Sequence, residues 1–338
     1  MPGSLLSPDP FAALVIFPFG LIVGSFANVV IHRLPLGTSV VFPPSRCPGC
    51  GAFVRPWQNI PVISWILLKG RCASCGEPIS LRYPAVELIH AAGFALIVLK
   101  FGIRPFTPLL LLFFFALVVL AFIDWEHQIL PDVITLPGIL VGVLGAFVPG
   151  ALVGWREAAL AAAFGYVAFF LVAEGYSRLR GIEGLGQGDW KLAAMMGAFL
   201  GGQPLMLTVF LGSLSGLAYG LIQAARKRGQ RGETEAKALP LSADGIPDTA
   251  APASEPAAPE AHGPEPAAED APVDVPGTVP AAGGELAPAG APEDGKTEEL
   301  ESIGKYKLPF GTFLAASAIF VLFFGDAVLA WYASLFRF

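Results

Sequence analysis

Residues 106–132 read FTPLLLLFFFALVVLAFIDWEHQILPD, and the first eighteen of them carry no charge before Asp124. A helix needs about 20 predominantly apolar residues to cross the hydrocarbon core of a bilayer. Similar runs recur along the chain, whose 338 residues are 54% hydrophobic and only 14% charged. A soluble domain of this length would carry more charge on its surface. The sequence therefore predicts an all-α polytopic membrane protein.

Apolar runs long enough to be considered as membrane spans occur eight times. The run at Trp190–Leu200 is short, and a run of that length can also be re-entrant. The predicted spans are Phe11–Ile31, Pro84–Leu99, Phe106–Ile123, Val133–Val148, Glu157–Tyr176, Trp190–Leu200, Leu205–Ala224 and Phe310–Trp331.

The basic residues predict the orientation of these spans. His32 and Arg33 follow the first run, and Asp9 is the only charged residue before it. A cleavable signal peptide would instead have basic residues before the run, so this run does not have that pattern. Most of the remaining Lys and Arg fall in loops that this orientation puts on the same side as Arg33. Because cytoplasmic loops are enriched in Lys and Arg, the loop after the first span is expected in the cytoplasm.

The chain divides into five predicted regions. They are a first transmembrane helix at 1–31, a cytoplasmic four-cysteine domain at 32–83, a transmembrane core at 84–225, an acidic insert at 226–305 and a last transmembrane helix at 306–338. Positions 232–300 hold fifteen Asp and Glu but only two Lys, so the overall charge of −6 comes from the insert. The insert is rich in Ala and Pro and has too few large apolar residues to form a core, which predicts disorder.

All four cysteines lie in the second region, as Cys47-Pro-Gly-Cys50 and Cys72-Ala-Ser-Cys75. Two such pairs at this separation are typical of a zinc site in which four thiolates complete a closed tetrahedron. Disulfides or redox chemistry are the alternative, but a cytoplasmic loop is reducing, and a lone redox pair would not explain the second one. A closed site has no open coordination position, so the predicted zinc is structural.

Two aspartates stand at the ends of predicted spans. Asp124 ends the quoted run, and Asp189 follows Gly186-Gln187-Gly188. Carboxylates brought within hydrogen-bond reach share one proton, so one can activate water while the other donates a proton. The alternative is helix capping, which fits Asp189 well and Asp132 still better, whereas Asp124 ends its span and has no cap to form. The nearby His127 is expected to be merely solvated.

Five segments resemble the type IV prepilin peptidases, including the pseudopilin peptidases of type II secretion. They appear in the family's order and cover nearly all of the chain outside the insert. The segments are GSFANVVIHRLP, CPGCGAFVRPWQNIPVISWILLKGRCASCGEPISLRYPAVEL, IDWEHQILPDVITLP, GLGQGDWKLAAMMGAFLG and LPFGTFLA.

This resemblance implies an aspartic endopeptidase of the bacterial inner membrane with its active site at the cytoplasmic face. Its catalytic pair maps onto Asp124 and Asp189, and its substrates are prepilins or pseudopilins with a basic leader and a hydrophobic helix. Many members also methylate the new N-terminus with S-adenosyl-L-methionine, and the intact four-cysteine loop is typical of that bifunctional form. The resemblance does not place the residues that carry methyl transfer or bind the methyl donor. Glu87 is one candidate, and it could equally be a helix-end carboxylate paired with Arg82. The lipid bilayer is expected to be a partner and nucleic acid is not.

Two other classes of protein share some of these features. Intramembrane carboxylates also occur in proton-coupled transporters, although there they lie near the midplane. A zinc-binding membrane scaffold would explain the cysteines but not Gly186-x-Gly188-Asp189.

Overall fold

A computed structural model describes residues 9–181, 186–238 and 309–335. These residues form nine α-helices and one 3-10 turn at Pro56–Gln58, with two isolated β-bridges and no strand. The helices are α1 (Pro10–Arg33), α2 (Ile63–Leu67), α3 (Arg82–Phe101), α4 (Thr107–His127), α5 (Asp132–Gly145), α6 (Trp155–Arg180), α7 (Gln187–Leu200), α8 (Gly202–Ala238) and α9 (Phe310–Ser334).

The all-α membrane class is confirmed, but the count of eight spans is wrong. Six helices are long and apolar enough to cross a membrane, namely α1, α3, α4, α6, the part of α8 up to Arg226, and α9. The helices α5 and α7 have 14 residues each. At 1.5 Å per residue each is about 21 Å long, which is shorter than the hydrocarbon core.

The helix α4 lies at the centre of the helical body. It is apolar on every side, and the residues on it that are fully buried include Phe113 and Leu117. Phe113 stacks on Phe199 of α7 with ring centroids 4.3 Å apart. Of the candidate spans in the described residues, α4 has the largest buried share, 61%. It therefore provides a rigid support for Asp124 in its last turn.

Glycines let the neighbouring helices approach closely. A Cβ atom at Gly20 or Gly24 of α1 would lie 2.6 Å from a Cα atom of α3. A Cβ atom at Gly165 of α6 would lie 2.8 Å from the carbonyl oxygen of Ala193 in α7, and one at Gly142 of α5 would lie 2.7 Å from the Ala198 Cβ. Such small-residue contacts are typical of helix association in membranes. They hold α7, and hence Asp189, between α5 and α6.

The predicted acidic insert lies mostly outside the described residues. The helix α8 continues to Ala238, past position 226 where the sequence placed the start of the insert. The predicted disorder of 239–305 concerns residues that the structure does not describe, and it stays a prediction. Contacts group Met1–Lys227 with Lys307–Phe338 as one compact unit and Arg228–Tyr306 as a second. All sites considered below belong to the first unit.

Candidate active site and four-cysteine site

Asp124 is buried in the last turn of α4, with only 5% of its surface exposed. Its Oδ2 accepts a hydrogen bond from the backbone N–H of Thr312, at 2.7 Å. The Thr312 hydroxyl lies 3.1 Å from the same oxygen and 2.9 Å from the Ala121 carbonyl oxygen, so it can donate to either. The first turn of α9 therefore holds Asp124 in place, from a position 188 residues further along the chain.

Asp189 is the third residue of α7 and is equally buried, at 5% exposed. Its Oδ2 accepts from the backbone N–H of Gly186 at 3.1 Å, which is a helix-capping contact. The pKa of Asp189 is raised to about 7, mainly by burial and secondly by the negative charge of Asp124. Capping and pairing therefore coexist at Asp189, because one oxygen holds the helix start while the carboxyl group senses Asp124.

Leu130, in the turn between α4 and α5, packs between the segments that carry the site. A Cβ atom at Gly188 would lie 2.5 Å from the Leu130 Cβ, and one at Gly311 would lie 2.8 Å from the Leu130 Cδ1 and 3.1 Å from Asp124 Oδ2. Gly188 and Gly311 have no side chain to occupy this space. The space is taken by Leu130, so the two glycines let three chain segments converge on the aspartates.

Asp132 is not a helix cap, and that prediction is wrong. It is the first residue of α5, and the N-cap position falls on Pro131 without any side-chain capping hydrogen bond. The Lys191 Nζ instead donates to both carboxylate oxygens of Asp132, at 2.6 and 2.8 Å. His127 is exposed at the end of α4, as a solvated histidine would be.

Glu87 does not pair with Arg82, so that alternative is wrong as well. Arg82 forms its ion pair with Glu126 at the end of α4. Glu87 is 7% exposed, and its Oε2 accepts the backbone N–H of Val62 at 2.7 Å. Glu87 thus fastens the cysteine loop to α3.

The four cysteines are free thiols whose sulfur atoms all lie within 4.8 Å of one another. The Cys47 and Cys75 sulfurs are 3.8 Å apart. This is about the separation of two sulfurs bound to one tetrahedral zinc at Zn–S distances of about 2.3 Å. The residues therefore fit a metal ion, in the arrangement that the spacing predicted.

The two CxxC segments are structural repeats of each other. In each, the first cysteine donates its N–H to the residue five positions on, from Cys47 to Ala52 at 2.9 Å and from Cys72 to Glu77 at 2.8 Å. In each, the glycine after the second cysteine has a positive φ and donates back to the first cysteine's carbonyl. Backbone turns of this kind direct two sulfurs to one point without any help from the helices.

Sequence reasoning missed Thr312, Lys191 and Leu130. Thr312 and Lys191 lie inside segments whose resemblance to the family was recognised, LPFGTFLA and GLGQGDWKLAAMMGAFLG. Lys191 could have drawn attention because it lies two positions after Asp189. Thr312 could have done so because it lies in a segment that resembles the family. Their partners could not be foreseen, because Thr312 binds Asp124 and Lys191 binds Asp132 only through the fold.

The fold and the site together define a multi-pass helical membrane protein with a buried, interacting pair of aspartates and a separate four-cysteine cluster. Comparison of the sequence with known families identifies the family to which the chain belongs. The model described as "Bacterial Peptidase A24 N-terminal domain" matches residues 18–101, and the "Type IV leader peptidase family" model matches residues 111–221. The chain belongs to the type IV leader peptidase family. No solved structure matches it.

Three relatives carry the name "Prepilin leader peptidase/N-methyltransferase". The protein from Myxococcus xanthus is 42% identical over 227 residues, which is 66% of this chain and 67% of the relative. The protein from Pseudomonas aeruginosa is 37% identical, over 67% of this chain and 86% of its own length. The protein from Neisseria gonorrhoeae is 38% identical, over 65% and 85% respectively.

Proposed function

We propose that this protein is an aspartic endopeptidase that removes the leader peptide from type IV prepilins or pseudopilins and then methylates the new N-terminus. Family membership and the names of its relatives support both activities. The observation that carries the peptidase assignment is the pair of buried carboxylates at Asp124 and Asp189, which interact electrostatically.

We infer different roles for the two aspartates, and their hydrogen bonds support this division. Asp124 accepts the Thr312 N–H and is within reach of the Thr312 hydroxyl, and donors aimed at a carboxylate favour its ionised form. Asp189 accepts a single backbone N–H, and its pKa of about 7 lets it keep a proton near neutral pH. Asp124 is therefore the general base, and Asp189 is the general acid.

In this mechanism Asp124 takes a proton from a water molecule while the water oxygen attacks the carbonyl carbon of the last leader residue. Asp189 donates its proton to the carbonyl oxygen, and the resulting tetrahedral intermediate then expels the amine as the peptide bond breaks. Asp124 passes the proton that it took from water to the leaving amine. Asp189 regains a proton from one hydroxyl of the intermediate as the new carboxyl group forms, so the pair returns to its single-proton state. Hydrolysis is direct, without a covalent enzyme intermediate.

The four cysteines bind a structural zinc ion in this proposal. Cys47, Cys50, Cys72 and Cys75 would hold it, since their sulfurs already lie at suitable separations. When bound, zinc would order the loop that Glu87 of α3 holds through the Val62 N–H. S-adenosyl-L-methionine would supply the methyl group when bound.

The active site lies at the cytoplasmic face of the inner membrane in this proposal, with the substrate's hydrophobic helix in the bilayer. The basic leader of the substrate would remain in the cytoplasm by the same charge rule that orients the enzyme. The six apolar helices and the position of Asp124 at the end of α4 support this placement.

The direct test is to incubate the purified full-length protein in detergent with a prepilin and S-adenosyl-L-methionine labelled in its methyl group. A shortened pilin that carries the label at its N-terminus is expected. The Asp124→Asn variant serves as the control for a contaminating protease. Failure of the unmodified, folded protein to shorten the prepilin would overturn the peptidase assignment, and cleavage without label would overturn the methyltransferase assignment.

A further inference from the structure

The ion pair between Asp132 and Lys191 joins the two segments that carry the aspartates. Asp132 begins α5, eight positions after Asp124, and Lys191 lies in the first turns of α7, two positions after Asp189. The Lys191 Nζ is 2.6 and 2.8 Å from the two Asp132 oxygens. The contact therefore joins, across 59 positions of the chain, the two segments in which Asp124 and Asp189 lie.

Stability alone does not explain this contact. The Asp132 side chain is 55% exposed, and ion pairs at such positions contribute little to folding. The Lys191 side chain is only 19% exposed, so its stem is packed and its charge has a restricted range of positions. The helices α5 and α7 already pack closely through Gly142 and Ala198 further along. What the ion pair adds is a fixed geometry at the end where the aspartates lie.

We propose that Asp132 and Lys191 are positioning residues for the peptidase reaction, which hold the start of α7 against the α4–α5 turn so that Asp189 faces Asp124 at a fixed separation. This inference rests on the proposed function. A shared proton needs a separation that a small movement of α7 would destroy, and misplacement by about 1 Å can cost a hundredfold in rate.

The pair also balances the charge beside the aspartates. Bound together, Asp132 and Lys191 add no net charge near the carboxylates. Among the described residues at the ends of neighbouring helices, Glu126 pairs with Arg82 and Glu174 pairs with Arg178, whereas His127, Arg180 and Arg226 are exposed. Arg33 of α1 is half-buried and donates to the Ser39 carbonyl. Removal of one partner would leave a single unpaired charge on the segments that carry the aspartates, two positions from Asp189 or eight from Asp124 in the chain.

Because the ion pair is neutral, loss of either partner alone should shift the pH dependence of the rate, and the two variants should shift it in opposite directions. In Asp132→Asn, the unpaired Lys191 ammonium would favour ionised Asp189, so the alkaline limb of the rate profile moves to lower pH. In Lys191→Met, the unpaired Asp132 carboxylate has the opposite effect, and the limb moves to higher pH. A purely structural role would not move the two limbs in opposite directions.

The experiment measures kcat and KM for prepilin cleavage against pH, with the full chain in detergent. Asp132→Asn and Lys191→Met are each expected to lose about tenfold in kcat with little change in KM. Asp132→Glu, and the exchange Asp132→Lys with Lys191→Asp, should recover most of that loss. Glu174→Gln and Arg178→Met are the matched controls, because they break an exposed ion pair of α6. Elution volume and metal content verify that each variant is folded.

Unchanged kcat and unchanged pH limbs in both single variants would overturn the inference. The inference would also be overturned if both single variants had a reduced kcat but their alkaline limbs did not move in opposite directions, and if neither Asp132→Glu nor the double exchange restored kcat. An unmodified protein that cleaves nothing would instead refute the proposed function itself, so the two failures are distinct.

Discussion

The four-cysteine site is built within one loop, where Cys47 and Cys75 are 28 positions apart, whereas the aspartate site needs α4, the α4–α5 turn, α7 and α9. The cysteine site uses backbone turns that each close within six residues. The aspartate site uses side chains that meet only after the helices pack. Local sites can therefore be predicted with their ligands, while assembled sites can be predicted only in part.

The largest expected effect comes from the aspartate site alone. Asp124→Asn and Asp189→Asn should each reduce prepilin cleavage by about a thousandfold or more, because Asn keeps the shape but cannot exchange the proton. Zinc content should stay at one ion per chain, since the two sites are built independently. The measurement is cleavage by the purified variants with metal analysis of the same samples. Near-normal cleavage by either variant would remove it from the catalytic pair.

Cys47→Ser and Cys72→Ser should affect the four-cysteine site more strongly than the aspartate site. Each removes one of four ligands, so the bound zinc should be lost and the loop should become sensitive to protease, because structural zinc contributes directly to folding. Cleavage of prepilin should fall less than in the aspartate variants. Metal analysis and limited proteolysis measure the effect. Protein purified under reducing conditions without any zinc would contradict the metal assignment.

Thr312 tests how strongly the aspartate site depends on a distant helix. Thr312→Val keeps the backbone N–H that Asp124 accepts and removes the hydroxyl. Loss of one hydrogen bond to a carboxylate should lower kcat by about three- to tenfold. Thr312→Ser is the control and should stay close to normal. Equal kcat in the Val and Ser variants would show that the hydroxyl does not serve Asp124.

The smallest effect is expected from removal of residues 239–298. Their composition predicts no core of their own, and α8 and α9 lie on either side of the removed stretch. A flexible tether of about ten residues can replace them. Cleavage should remain within about twofold of normal. A deletion variant that is abundant and membrane-inserted but inactive would give the insert a role in docking or regulation.

Much of the fold followed from the sequence for a physical reason. Each apolar run had to become a helix, because backbone groups in lipid must bond within their own segment. The span count failed at α5 and α7, which are apolar but have only 14 residues each. The apolar residues of α7 are buried inside the protein, whereas α5 is simply too short to cross the hydrocarbon core. Asp124 was identifiable because a charge at the end of an apolar helix is costly. Asp132 was misread as a cap because its partner, Lys191, lies 59 positions away.

The central claim is that Asp124 and Asp189 act as one pair in which Asp189 holds the proton. The pH dependence of kcat for prepilin cleavage tests it most directly. Because Asp189 must be protonated and its pKa is raised to about 7, the rate should fall as pH rises through that value. Zinc loss cannot mimic this, since thiolates bind metal more tightly at higher pH. A rate that stays constant from pH 6 to about 9 would contradict the claim.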